Sequence, residues 1–400
     1  MFFASKCVKS AIFSEVLRGC QERAPIVGER WGERVGMTRK QRFIDTLEGK
    51  ATDRIPVFDF LSSKKLFAHI TGRQPTDYLA RDIMEATIAL DLDAAFIPFG
   101  GFAGYSLDLP GDLKNRELQD GQYMDEWGTV YQSNGVSWPA DAPVGFPIQT
   151  RKDLDAYRVP DAHSPGRLDG ILEAMEMNKE HQAAILGGLN GPFTVAMMLM
   201  GLTNMSYSVI DDPELLPELM RRISEFLIPA AEIMIHAGVD GVFIADDLGH
   251  STSCFFQPDY MRKSVLPEIE RLAQHIKKLG SYALFHSCGC VNAIFSDLVN
   301  MGLDAIHPIQ QTANMDLREI KRGYGQRVCL IGNVDSTNVL PHGTAEEVKA
   351  ATLECMRIGG KGGRFVLASD SDLRDDMPLE NMLCMIETAR AHGGYGQYQL

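Results

Sequence analysis

Three features that would identify common classes of protein are missing from this sequence. No apolar run reaches the roughly 18 residues that cross a bilayer, so no membrane-spanning helix is predicted. No G-x-G-x-x-G motif or P-loop follows a predicted strand, which excludes the usual nucleotide-binding folds. Positive charge is also scarce, since 39 lysines and arginines face 53 acids for a formal net charge of −14. This balance argues against nucleic acid and anionic membranes as partners.

The eight cysteines lack the regular spacing of a disulfide framework, and a chain of 400 residues does not need disulfides to stabilise its core. No hydrophobic region follows the first few residues, so no cleaved signal peptide is predicted. We therefore expect reduced thiols and a cytoplasmic location. Residues 1–36 show no clear hydrophobic period, and we predict that they form a disordered extension or precede the true start at Met37. Residues 37–400 are predicted to form one barrel.

Short apolar segments alternate with amphipathic helical segments along most of the chain. Eight such repeats, without a phosphate-binding turn after the first, favour an α/β fold of the (β/α)8 TIM-barrel type over an open doubly wound sheet. The predicted strands are Ile55–Phe58, Asp93–Phe99, Ala184–Leu189, Gly241–Ala245, Tyr282–Phe285, Asp304–His307, Val328–Ile331 and Arg364–Ala368.

A long insertion, residues 100–183, separates predicted strands two and three. Its aromatic residues and its glycine and proline turns predict hairpins over one mouth of the barrel. Connections of this length often serve as lids or binding loops. A packed excursion without such a role is equally compatible with the sequence.

The sharpest candidate site is His286-x-Cys288, at the end of predicted strand five. Residues two apart in extended chain point to the same side, so the imidazole and the thiol can converge. Active sites of these barrels lie at the carboxyl ends of the strands, and imidazole with thiolate is a common ligand pair for zinc. The alternative is a core histidine beside a buried cysteine.

Polar residues at the ends of other strands are further candidates. Asp246 and Asp247 follow strand four, where a carboxylate can orient a substrate or act as an acid or base. Asp247 could instead cap a helix or turn. Five residues at the barrel mouth are candidates for substrate binding: Phe60, Asn190, Gln310, Asn333 and Asp335.

With these residues placed, the sequence resembles the uroporphyrinogen decarboxylase superfamily, from about Met37 to His392. The resemblance is closer to the cobalamin-dependent methyltransferase branch than to the decarboxylase itself. In the decarboxylase an arginine-containing loop follows strand one, whereas Leu61–Lys65 contains no arginine here. The segments that carry the resemblance are Thr38–Arg42, Asp53–Val57, Gly191–Phe193, Phe285–Gly289, Pro308–Gln310, Gly332–Asp335 and Pro378–Asn381.

The methyltransferase branch implies a zinc ion held by His-x-Cys and a later cysteine. His286 and Cys288 match the first two ligands, but Ser371 stands where the later cysteine is expected. Serine is a weak zinc ligand, so the third ligand is left open. The candidates are Cys290, Asp370, Ser371 and Asp372, with Asp246 as a further substitute.

The resemblance implies a methyltransferase that moves a methyl group from a small methylated substrate, a methyl ether or amine, to a corrinoid carried by a partner protein. Zinc would act as the Lewis acid, and Asp246 or Asp247 would orient the substrate. Two alternatives remain: a metal-independent decarboxylase-like lyase, and a barrel that binds a ligand without catalysis. The oligomeric state is left open, with a homodimer as the candidate.

Overall fold

Seven parallel strands form the centre of the fold in a computed structural model that describes residues 36–394, except 106, 108 and 133–137. The predicted extension thus lies outside the described residues, apart from residue 36. The strands in chain order are β1 (Leu61–Ser62), β2 (Ala94–Pro98), β3 (Arg116–Glu117), β4 (Gln122–Met124), β5 (Val130–Gln132), β6 (Ala142–Gly145), β7 (Ala184–Asn190), β8 (Gly241–Ala245), β9 (Tyr282–His286), β10 (Ala305–His307), β11 (Cys329–Val334), β12 (Phe365–Ser369) and β13 (Leu373–Arg374). The central sheet has the order β12-β11-β10-β9-β8-β7-β2.

Helices connect the central strands and pack around the curled sheet. A π-helical turn, Met261–Val265, precedes one of them, and 3-10 turns lie at Gly111–Leu113, Asn292–Ile294 and Gln311–Ala313. The α-helices are Arg39–Glu48, Lys64–Thr71, Ala80–Ala89, Arg151–Ala156, Asp169–Met177, Pro192–Met200, Leu202–Asp211, Leu215–Ala237, Pro258–Tyr260, Leu266–Lys278, Phe295–Asn300, Leu317–Tyr324, Val339–His342, Ala345–Gly359 and Leu379–His392.

The first predicted strand is reduced to a single bridge. Val57 pairs with Leu367 of β12 in parallel, and its carbonyl accepts the N–H of Asp93 just before β2, at 2.8 Å. This segment therefore fills the gap between β12 and β2 and closes the barrel. Pro56 has no N–H to donate, which explains why no longer ladder forms here. The (β/α)8 class predicted from the sequence is confirmed, with seven regular strands and one bridging segment.

Aromatic rings fill the interior of the barrel. Phe58, Phe96 and Phe243 are buried there beside small side chains of the neighbouring strands. Phe43 and Leu47, on the helix Arg39–Glu48, belong to the same cluster and cover the end of the barrel where the strands begin. The interior of the barrel is thus a packed core, and an active site is expected at the other end, where the strands finish.

The insertion between β2 and β7 contains an antiparallel sheet of β3 to β6. Its side chains pack on the barrel: Trp127 donates to the Gly101 carbonyl at 3.1 Å, and Thr129 donates to the Met198 carbonyl at 3.1 Å. Tyr131, in β5, is fully buried. The predicted hairpins are present, and they form a packed part of the molecule.

Within the described part of the chain, no single helix is long and apolar enough to cross a membrane. The helices Pro192–Met200 and Leu202–Asp211 reach that length and apolarity only together, and a bend of 98° separates them.

Candidate metal centre and active site

The candidate site lies where two neighbouring strands end. β8 and β9 are adjacent in the sheet, with Ala245 opposite His286. The next residues along each chain are therefore close in space, which brings Asp247 to His286 and Cys288. These three residues form a cluster whose ligand atoms all lie within 4.8 Å of one another.

The imidazole of His286 is at the centre of this cluster. Its Nε2 lies 3.4 Å from the Cys288 Sγ and 3.4 Å from the Asp247 Oδ1. A tetrahedral zinc with bond lengths of about 2.0–2.3 Å holds its ligand atoms about 3.4–3.6 Å apart. The donor set of carboxylate, imidazole and thiol, at this spacing, therefore fits zinc with one position left open.

The backbone holds Cys288 in this position. Its N–H donates to the Asp247 Oδ1 at 2.8 Å, and Gly289 then turns the chain with φ of 82°. A Cβ at Gly289 would lie 2.3 Å from the backbone of Gly249. The two strand ends are thus packed backbone to backbone, and only glycine allows this approach.

Electrostatic interactions tie the three side chains together. Burial lowers the pKa of His286, but Cys288 and Asp247 outweigh it and raise the pKa to about 10. Burial raises the pKa of Cys288, although His286 opposes this. Burial also acts to raise the pKa of Asp247, but the hydrogen bond and charge of His286 lower it overall. Asp247 therefore carries a negative charge that faces His286 in the metal-free site.

Ser371, in the position where the resemblance expects a cysteine, also lies at this cluster. Its Oγ is 3.7 Å from the Cys288 Sγ and donates to the Asp372 Oδ1 at 3.1 Å. Arg374 also donates to Asp372, at 2.7 Å. Ser371 is therefore beside the donor set. The Asp372 carboxylate is instead paired with Ser371 and Arg374.

The other candidates for a third ligand point elsewhere. The Cys290 Sγ accepts from Asn292 Nδ2 at 3.7 Å, and Cys290 is buried. The Asp370 carboxylate is buried and accepts the N–H groups of Gln311 and Ser336, at 3.0 and 2.8 Å. Neither belongs to the cluster with His286, and Asp247, which the sequence predicts as a catalytic residue, occupies that place.

Asp246 points away from its neighbour Asp247. Its buried carboxylate accepts the N–H groups of Phe193 and Thr194, at 3.3 and 2.6 Å, at the start of the helix Pro192–Met200. A Cβ on Gly191 would collide with the Asp246 side chain at 2.1 Å. Burial raises the pKa of Asp246 to about 7. Its contacts are those of a helix cap, the role that the sequence left open for Asp247.

Four of the five candidate substrate-binding residues make internal hydrogen bonds. Asn190 accepts the Ala103 N–H at 2.7 Å, and Gln310 accepts the Gly289 N–H at 2.7 Å. Asn333 donates to the Ile309 carbonyl at 2.8 Å. Asp335 accepts the N–H groups of residues 337 and 338, at 2.8 and 2.7 Å. These bonds shape the loops at the mouth of the barrel.

The fifth candidate, Phe60, lies directly against the site. Its ring packs edge to face on His286, with centroids 5.3 Å apart, and on His307 at 5.1 Å. It provides an apolar floor beneath the donor set.

Two residues beside the site received no role from the sequence. His307 is fully buried, and its Nδ1 lies 2.7 Å from the Nδ1 of His286. The sequence feature that could have identified it is its position at the end of β10, which lies directly opposite His286 in the sheet register. Tyr105 comes from the insertion and packs on Phe102 at 4.6 Å. Burial raises its pKa, and the charges of Asp372, Asp247 and Cys288 raise it further. The rule that active-site residues follow the barrel strands could not have placed Tyr105 at the site, because it lies in the insertion.

Known proteins are similar to this chain in sequence and in fold. A methylcobamide:CoM methyltransferase (MtaA) of Methanosarcina barkeri is 26% identical over 361 residues, which cover 87% of this chain and 96% of that protein. A uroporphyrinogen decarboxylase of Chlorobium phaeovibrioides is 28% identical over 214 residues, covering 51% and 58%. The solved structure of a methyltransferase from Methanosarcina mazei superposes with a TM-score of 0.67 at 24% identity, covering 89% of this chain and 99% of that one. That structure supports the barrel fold.

The family described as Uroporphyrinogen decarboxylase (URO-D) matches residues 136–392. This range is well over half of the chain and contains every member of the donor cluster. The chain therefore belongs to the uroporphyrinogen decarboxylase (URO-D) family.

Proposed function

We propose that this protein is a zinc-assisted methyltransferase that moves a methyl group from a small methylated substrate to the corrinoid of a partner protein. The cluster of Asp247, His286 and Cys288 at the mouth of the barrel is the observation that carries the proposal. The alternative, a metal-independent lyase, would not need a carboxylate, an imidazole and a thiol gathered at one point. The relative from Methanosarcina barkeri has methylcobamide in its name, which supports a corrinoid as the second reactant.

Each residue of the cluster has a separate task in this proposal. Cys288 and Asp247 supply the two negative charges that balance a divalent ion, and His286 supplies a neutral nitrogen. Zinc, when bound, supplies a Lewis acid that polarises the heteroatom carrying the methyl group. Phe60 packs on His286 and keeps water from the inner side of the site, and Tyr105 is near enough to Asp247 and Cys288 for their charges to raise its pKa.

The donor set favours activation of a methyl donor over activation of a thiol acceptor. A carboxylate is a harder ligand than a second thiolate and leaves more positive charge on the metal. This suits the polarisation of a methyl ether or methylamine. Ser371 in place of cysteine points the same way, because the thiol reaction depends most on an electron-rich metal.

Cobalamin provides a direct assay of methyl transfer. Purified protein is mixed with reduced free cob(I)alamin, in place of the corrinoid protein, and with methyl ethers or methylamines one at a time. Formation of methylcobalamin is followed by absorbance. We expect transfer from at least one donor class, and a loss of at least about a hundredfold in Cys288→Ser, because the variant lacks one of the three ligands.

Cys290→Ser is the matched control, because Cys290 lies two residues away but outside the cluster. It should keep the rate of the unchanged protein. Equal rates in both variants would contradict the zinc mechanism. Turnover of a carboxylated substrate by metal-free protein would instead support the lyase, and binding without turnover would support the non-catalytic barrel.

A further inference from the structure

His307 stands out among the buried polar residues that the proposed reaction does not use. It ends β10 and lies opposite His286 in the parallel register between β9 and β10. The two rings are stacked, with centroids 4.9 Å apart and planes at 28°. Their Nδ1 atoms are 2.7 Å apart, a normal hydrogen-bond distance.

The remainder of the His307 ring is in an apolar environment. The rings of Phe58, Phe60 and Phe243 surround it edge to face, with centroids 5.1 to 6.4 Å away. Its Nε2 is buried without a hydrogen-bond partner among the described residues. His286 is thus the one side chain with which His307 forms a hydrogen bond in the described part of the chain.

A hydrogen bond between two Nδ1 atoms contains one proton, so one ring donates and the other accepts. If His286 donates, its Nε2 can release its proton to solvent as a cation binds and present a lone pair to the space shared with Cys288 and Asp247. If His307 donates, a neutral His286 must carry its proton on Nε2, and that proton would fill the space where a metal belongs. The identity of the donor therefore decides whether the cluster can bind a cation.

We propose that His307 is a positioning residue that accepts the Nδ1 proton of His286 and thereby directs the Nε2 lone pair of His286 toward Cys288 and Asp247. This inference rests on the proposed zinc site and deepens it. His307 then keeps its own proton on Nε2, the ring nitrogen that is not bonded to His286. It touches neither the substrate nor the metal.

Two variants of similar volume separate positioning from packing. His307→Leu removes the acceptor, whereas His307→Gln offers an amide oxygen to the same proton. The zinc dissociation constant is measured by competition with a chromophoric chelator. We expect His307→Leu to bind zinc about 10–100-fold more weakly, as is usual when the hydrogen-bond partner of a metal ligand is lost, and His307→Gln to recover part of the loss. Thermal unfolding of the metal-free variants checks that both are folded.

Nitrogen-15 NMR of the histidine rings gives a second readout that does not depend on zinc. In the metal-free protein we expect His307 to carry its proton on Nε2 and none on Nδ1. Zinc affinity unchanged in a folded His307→Leu, or a proton on the His307 Nδ1, would overturn the inference. If the unchanged protein binds no zinc, the proposed function fails, whereas the NMR result still decides the direction of the histidine hydrogen bond.

Discussion

The close contact at Gly289 predicts that a single methyl group there disturbs both the fold and the metal site. Gly289 has φ of 82°, and a Cβ on it would lie 2.3 Å from the backbone of Gly249. Carbon atoms in contact prefer about 3.5 Å, so Gly289→Ala must separate the two strand ends by about 1 Å. Ligands of a metal site tolerate displacements of only about 0.5 Å. Asp247 and Cys288, which flank this contact, should therefore no longer bind zinc together.

Gly302→Ala is the matched control for this change. Gly302 has nearly the same φ, 84°, but no atom lies within 4 Å of the position that an added methyl group would take. It should lose only the roughly 1–2 kcal/mol of left-handed backbone strain. Gly289→Ala should lose about 1–3 kcal/mol more through the collision, measured by urea denaturation. Its zinc affinity, from chelator competition, should fall at least about tenfold, with Gly302→Ala unchanged. Equal stability and equal zinc affinity in the two variants would refute this reasoning.

Three further predictions concern the site and its surroundings. Asp247→Asn should weaken zinc binding at least about a hundredfold, while Asp372→Asn, on the outer side of the cluster, should change it only a few-fold. Zinc affinity is measured by chelator titration, and a larger loss in Asp372→Asn than in Asp247→Asn would contradict the assignment of Asp247 as a ligand. Ser371→Cys adds a thiol where an oxygen lies 3.7 Å from the Cys288 Sγ, so zinc should bind at least about tenfold more tightly under reducing conditions. Unchanged or weaker binding would contradict this prediction. Burial raises the pKa of Asp59 to about 8, well above its unfolded value of about 3.9. The folded state therefore holds this proton more tightly, and the contribution of Asp59 to stability is full below pH 4 and lost as the pH rises to 8. The stability of the unchanged protein relative to Asp59→Asn should fall by up to about 1.4 kcal/mol per pH unit across this range, and a flat difference in urea denaturation would contradict the raised pKa.

The barrel could be predicted from the sequence because each strand is a short apolar run followed by a helix, and parallel strands finish at the same end. That rule also placed His286, Cys288 and Asp247 at one mouth. The first strand was predicted too long: Pro56 lies within it and cannot donate to a ladder, and only Val57 forms a bridge.

The division of roles within the site was beyond the sequence. Asp246 and Asp247 are adjacent in the chain, and nothing in their order shows which one caps the helix at Phe193 and which one faces His286. That choice depends on the packing of Gly191 against Asp246, a contact between distant residues. Tyr105 was missed for the same reason, since the insertion that carries it follows no repeat.

The central claim is that Asp247, His286 and Cys288 together hold a zinc ion that the reaction uses. The most direct test is the metal content of protein purified without chelators, measured beside that of His286→Ala. We expect about one zinc per chain, lost in the variant while its fold persists. A folded protein without zinc, or equal zinc in both proteins, would contradict the claim.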